Sequence, residues 1–521
     1  MSNRVRRIES RAFVERELTI GILGMLAAML LSAGALCADT PNEAPLSTLV
    51  DRPSVGQFEG DLMLFFNKDA DGRRRFRLPD YEHDFVWSRS LVFDASSPTG
   101  QPLPNNAMNI VVHNGKLYVG TAAAFEKSNY SQHRAYVFVK EDKDSPWKVD
   151  AEFEPRSERV GALYSARFEF DGNGLAIEGG PVSILLAGTN KGAGSPPRPM
   201  QIKIRDDRSG EWIAADISTK TVAAYRVREI ISRRDRITGA DMVFVGADPE
   251  PNGIYAGVYD ATAPGLIRWN PVPELMAARG KFFGMAEANG HVFVSDRRGV
   301  FKRVDGESPR WVLMMKSTFE GGTWANDELR GLSAVPNPKE ITGWPEEEML
   351  IFGGGMAVYR MRAGCVGPEP KEEDLPRANY TVVKEVDLNS VLAEVLKHPV
   401  VFSEAAFNYV NPFNPPGADS PVWVIGFHFH YGVEGKEFVM KDLSTWTRNP
   451  YAFYLLRDVN GNHSLRIVED PDNPDKVLYL MRDNVPSPFP GEENVVYAAG
   501  FNASYFKGSL GTAWVYKGEW K

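Results

Sequence analysis

Between residues 105 and 516 short apolar runs alternate with glycine and polar turn residues. One unit recurs: an apolar strand, a tight turn, a second apolar strand, then glycine or a polar residue. Two copies are plain, Ile110–Gly120 and Gly284–Val294, where Asn114-Gly115 and Asn289-Gly290 supply the positive φ angles of a two-residue hairpin. Looser copies put the second strand at 184–188, 242–246, 349–353, 422–426 and 477–481. With Val119, Leu186, Phe244, Phe293, Ile351, Val424 and Tyr479 as centres, the spacings are 67, 58, 49, 58, 73 and 55 residues, room for four strands each. Third and fourth strands show in Val300–Val304 and Trp311–Met315. The strand Thr512–Tyr516 lies almost at the C-terminus, so the pattern predicts closure against N-terminal sequence. Helical signal is confined to Pro273–Arg279 and to Ser390–Lys397 after Asn389.

The first 38 residues read differently. Arg4, Arg6, Arg7 and Arg11 precede an uncharged apolar run from Leu18 to Leu36 and small residues around Ala35 and Ala38, the order of a cleaved secretory signal. An uncleaved anchor is the rival, because the run is about long enough to span a bilayer. The expected organisation is therefore a signal peptide over 1–38, an N-terminal extension or cap strands over 39–100, and the repeat over 101–521, in a secreted or periplasmic protein whose mature chain has no membrane span. Only Cys365 remains after cleavage near Cys37, so packing and not a disulfide holds the fold. A net charge of −9 argues against a nucleic-acid partner.

The repeat resembles that of the β-propeller superfamily, which implies an all-β, seven-bladed β-propeller over residues 101–521. No Trp-Asp dipeptide closes a blade. Two fragments resemble sialidases: Phe76–Pro79, with Arg77 as a substrate-carboxylate arginine, and Ser317–Trp324, a single Asp-box copy with Phe319 where the defining aspartate stands.

In a propeller the starts of inner strands and the ends of second strands surround the pocket on the top face. Phe427–Gly432 places His428 and His430 two apart on a strand, hence on one face. Two imidazoles so placed suit a divalent zinc, copper or manganese ion, with a third ligand from His133, His463 or a carboxylate. They equally suit proton transfer together with Tyr431, or a structural role. Arg159, Arg228 and Arg330, from three blades, are ligand-binding candidates for a carboxylate or phosphate. Their alternative role is to pair with Glu229, Glu328 or Glu404. Oxygen-ligand loops for calcium are read at Asn67–Gly72 and Asp458–Glu469, the second also, and more simply, as an Asn460-Gly461 hairpin between blades.

Two functions follow. The first is an exported propeller that binds a ligand on its top face, a small molecule, glycan, peptide or protein, using Trp324, Phe413, Phe427, Phe429, Tyr431 and Phe489 as stacking surface. The second is an enzyme acting on an anionic glycan, as lyase or glycoside hydrolase, in which arginines neutralise the carboxylate and His428 or His430 with Tyr431 moves protons.

Overall fold

A computed structural model describes residues 83–93, 103–122, 134–192, 196–248, 252–276, 281–296, 299–316, 329–337, 348–363, 382–388, 390–391, 403–431, 447–448, 452–473, 478–502 and 511–521. The signal region, Arg77, Asn67–Gly72, Ser317–Trp324, His133 and Cys365 lie outside them.

Strand β1 (Phe85–Val92) is followed by a succession of antiparallel meanders. The first is β2 (Asn106–His113), β3 (Lys116–Ala122), β4 (Tyr136–Lys140) and β5 (Lys148–Glu152). The second is β6 (Ser157–Phe168), β7 (Val182–Lys191), β8 (Arg198–Arg205) and β9 (Trp212–Val222), and the third is β10 (Tyr225–Arg234), β11 (Asp241–Asp248), β12 (Gly253–Tyr259) and β13 (Ile267–Trp269). Next come β14 (Phe282–Ala288), β15 (His291–Asp296), β16 (Gly299–Val304) and β17 (Arg310–Lys316), then β18 (Arg330–Pro336), β19 (Glu348–Gly354), β20 (Ala357–Arg362) and β21 (Val382–Asp387). Strands β22 (Ser403–Phe413), β23 (Val422–Tyr431), β25 (Ala452–Arg457) and β26 (His463–Val468) form a further sheet, with the short β24 (Thr447–Arg448) on the end of β23. The last sheet is β27 (Leu478–Pro486), β28 (Val495–Asn502), β29 (Ala513–Trp520) and β1.

The first strands of these sheets, β2, β6, β10, β14, β18, β22 and β27, each pack beside the next, and β27 packs beside β2. Four-stranded meanders arranged around a ring of inner strands are the construction of a β-propeller. The ring is fastened by N-terminal sequence: β1 pairs with β29 from Phe85↔Trp520 to Val92↔Trp514, and Arg89 grips Asp470 of the preceding sheet through Nε at 2.9 Å and Nη2 at 2.7 Å.

Three of the glycines that end second-strand motifs mark where the next inner strand presses in. A Cβ on Gly120 would stand 2.7 Å from Val160, one on Gly188 2.2 Å from Val227, and one on Gly426 2.5 Å from the Met481 carbonyl oxygen. Between sheets lie apolar layers, such as Ile184, Leu186, Ile202, Tyr225, Val227, Val243 and Val245. Buried polar staples cross the same gaps. Arg303 reaches Asp235 (2.8 Å), Asp305 (2.7 Å) and Glu274 (2.8 Å); Arg457 and His463 both hold Glu385; His113 bridges Ser165 and Asp207 at 2.8 Å each.

Three expectations are corrected. Tyr479 belongs to an inner strand, β27, and the second strand of that sheet is β28. The Asn460-Gly461 turn, expected between blades, joins β25 to β26 within one sheet. Glu274 and Leu275 are not helical, because their backbones bond to Ile254 (Glu274 N to Ile254 O, 2.8 Å; Ile254 N to Leu275 O, 2.8 Å).

Candidate functional site at the ring axis

Every inner strand carries at least one irregularity, and β6 and β27 carry a second, between Ser157 and Arg159 and between Leu478 and Leu480. The register of each inner strand against the second strand slips by a residue between Ala107 and Asn109, Val160 and Ala162, Val227 and Glu229, Phe282 and Gly284, Arg330 and Ser333, Phe407 and Val410, and Met481 and Asp483. A bulge of this kind leaves one residue out of the ladder and re-aims side chains. Side chains at or beside the bulges of β2, β10, β18, β22 and β27 come together.

Glu229 of β10 is the centre of that meeting. It feels the charges of Arg228 on its own bulge, Arg330 of β18 and Asp483 of β27, and it hydrogen-bonds with Tyr409 of β22. Tyr409 also hydrogen-bonds with Asn109 of β2. Asp483 accepts from Ile110 N (3.0 Å), Asn484 N (2.8 Å) and Asn411 Nδ2 (3.0 Å), so one carboxyl ties β27 to β2 and β22. Some of the surface of Glu229 stays reachable, yet protein atoms surround it closely. A carboxylate closely surrounded by protein atoms is desolvated even where part of its surface stays accessible.

The electrostatic result is a pair of reluctant acids. Burial raises Glu229 to about 8, although Arg228, Tyr409 and Arg330 pull it down. Burial likewise raises Asp483 to about 7 against its three donors. Burial, then Glu229 and Asp483, pushes the Tyr409 phenol up. Near neutral pH Glu229 thus keeps its proton most of the time and can donate as well as accept.

Of the three arginines singled out in the sequence, two come together beside Glu229. Arg228 pairs with Asp248 at the end of β11, and Arg330 lies over the Phe283 ring at 5.5 Å from its centroid. Arg159 sits one sheet away, opposite Asn190, near Glu158. His428 and His430 lie on β23 opposite Ala406 and Glu404, and Tyr431 opposite Ser403; their side chains are outside the described residues. His463, a third-ligand candidate, is committed to Glu385 at 3.0 Å. The Asp458 carboxylate is used within its own turn, accepting from Asn460 N (2.9 Å), Asn462 N (2.8 Å) and Asn462 Nδ2 (2.8 Å). Phe413, Phe427 and Phe489, expected as stacking surface, are buried between sheets. Among the described residues no group of three or more metal-ligating side chains gathers.

Tyr409 and Asn109 were not foreseen, and Glu229 was read only as an ion-pair partner. A signal exists in two sheets: Val227-Arg-Glu-Ile230 and Met481-Arg-Asp-Asn484 each set an arginine and an acid directly after an apolar residue inside a strand, which strict alternation does not allow.

The chain belongs to the β-propeller class on this strand order. No family model and no curated protein sequence matches it. It is similar to solved propeller structures at low identity: an α-L-arabinofuranosidase, Arb93A, from Fusarium graminearum in complex with an iminosugar inhibitor (9% identity, 84% of this chain, 97% of that chain, TM-score 0.37); the NanB sialidase from Streptococcus pneumoniae (7%, 83%, 70%, 0.35); and Sqt1 from Saccharomyces cerevisiae (9%, 82%, 98%, 0.39). Likeness at this level carries no inference about activity.

Proposed function

We propose that the protein is an exported seven-bladed propeller that binds a polar ligand, a glycan, at the mouth of its axial channel. The closed succession of seven inner strands supports the count, and the basic, apolar, small-residue order of residues 1–38 supports export. Among the described residues no helix is long and apolar enough to cross a membrane.

The observation that carries the binding reading is the convergence of Glu229, Tyr409, Asn109, Asp483 and two arginines from separate blades on the axis. A core seeking only stability would put apolar residues there, because buried ionisable groups cost more than they return. Calorimetric titration with a glycan panel tests the reading: a binder for wild type whose affinity falls in Y409F, with the fold intact, is expected. Equal affinity in Y409F and E229Q for every binder would refute it.

One observation favours hydrolase action on an anionic glycan as a second reading. A carboxyl that holds its proton at neutral pH is what a general acid needs to protonate a leaving oxygen. Activity would then fall as pH rises through about 8 and vanish in E229Q. Activity in E229Q equal to that of wild type would exclude it.

A further inference from the structure

Resting on the binding reading, we propose that the group recognised at the mouth is a carboxylate of the glycan, seated by Arg226 and Arg228 on the rim built by β6, β7, β10 and β11. Backbone register sets this rim. Arg159 lies opposite Asn190, Asn190 opposite Arg226, and Arg226 opposite Asp248. Directly opposed residues share a face and stand roughly 5 Å apart, so these four positions form one row across two blades.

The Arg228 bulge adds a second guanidinium to the end of that row. Arg228 Nε donates to Asp248 Oδ2, whereas Arg226 Nη1 stays 4.0 Å from Oδ1, beyond hydrogen-bond reach. The Asp248 side chain is 2% exposed and that of Arg226 43% exposed. One buried carboxylate therefore lies beneath two guanidiniums, and the outer fork is open to solvent. Glu158, half-buried beside Arg159 and Arg226, has its carboxyl raised by burial and lowered by those two arginines.

The charge count selects the ligand. Arg159, Arg226 and Arg228 against Asp248 and Glu158 leave a single positive charge, which a singly charged carboxylate matches and a planar fork holds by two parallel bonds. A phosphate dianion would bring a surplus charge toward Asp248. A neutral sugar would leave the outer fork without a counter-charge.

The probes are an oligogalacturonate and the same oligomer fully methyl-esterified, which keeps the shape and removes the charge. Calorimetry on the full-length protein is expected to show the acid binding about tenfold or more tighter than the ester, the scale of a hydrogen bond to a charged group. R226Q should reduce the acid to the affinity of the ester and leave the ester unchanged. R226K should recover part of the preference through charge, without the fork. Equal binding of acid and ester to wild type, or a preference that survives R226Q, would overturn the carboxylate seat alone. Failure of both oligomers and of the wider glycan panel to bind wild type would overturn the axial-ligand reading with it.

Discussion

Replacing Glu229 by glutamine keeps the size and hydrogen bonding of the protonated acid and removes its titration. The unfolded chain releases this proton near 4.5 and the folded chain near 8. Because the folded value is the higher, the native state holds a proton that the unfolded state has lost, and stability falls as pH rises between the two values. The benefit is complete below about pH 4 and is gone above about pH 8. Each pH unit of that interval is worth about 1.4 kcal/mol. From pH 5 to 8 the wild type should therefore lose up to about 4 kcal/mol relative to E229Q, and roughly 2–4 kcal/mol because part of the Glu229 surface stays accessible to solvent. That is a large share of the 5–15 kcal/mol typical of a folded domain. The comparison must be with the variant, because His291 acts in the opposite sense. Burial, then the charges of Lys302, Arg236 and Arg233, hold His291 down to about 3, so it adds stability as pH rises toward 6.5. Urea unfolding of both proteins at pH 5, 6, 7 and 8 is the assay. Parallel pH curves for wild type and E229Q, or a wild type gaining on the variant with pH, would refute the placement of Glu229 in a desolvated axis.

Other perturbations test the ring. G188A sets a methyl group 2.2 Å from Val227 Cγ1 and should cost about 1–3 kcal/mol, with V227A restoring part of it in thermal melts. R303M leaves Asp235 and Glu274 without their cation, while Asp305 keeps Arg233, and should cost roughly 3–5 kcal/mol in denaturant titration. Deleting Phe85–Val92 strips the outer partner from β29 and should turn one cooperative melt into a broad transition with exposed apolar surface, read by dye binding. Below pH 4 stability should fall as Glu385 takes a proton; burial alone would raise this carboxyl, but hydrogen bonds from Arg457 and His463 hold it at about 2. A variant E385Q whose stability between pH 4 and 2 matches that of wild type would contradict this.

The hairpins were legible because Asn114-Gly115 and Asn289-Gly290 require positive φ, and all four residues adopt it. The terminal glycines were legible as punctuation, although their reason is long-range: the next inner strand leaves no space for a side chain at Gly120 or Gly188. The last copy was misplaced because Leu478–Met481 reads as an apolar second strand, while the true one, Val495–Asn502, carries the same glycine signature at Gly500. Arg228 and Arg330 could be found from their places at strand starts. Tyr409 and Asn109 could not, because a bulge shifts the inward-facing positions by one residue and periodicity then points to the wrong side chain. Phe413, Phe427 and Phe489 misled for a related reason, since strand ends here continue into the layers between sheets.

The extra residue in each inner strand divides labour within the chain. Val160, Val227 and Met481, just before three of these bulges, fill the hollows left by Gly120, Gly188 and Gly426, so they answer to the ring. The neighbouring residue stands outside the ladder and answers to whatever occupies the axis. Mutation can then rewrite the axial surface one strand at a time without disturbing register or packing between blades. Such a chain can change its ligand by single steps, each compatible with a folded protein, and relatives with the same ring should differ most at Met108, Arg228, Phe283, Tyr409 and Arg482, whereas Gly161, pressed by the Val227 carbonyl, and Leu332, packed on Gly284, should stay fixed.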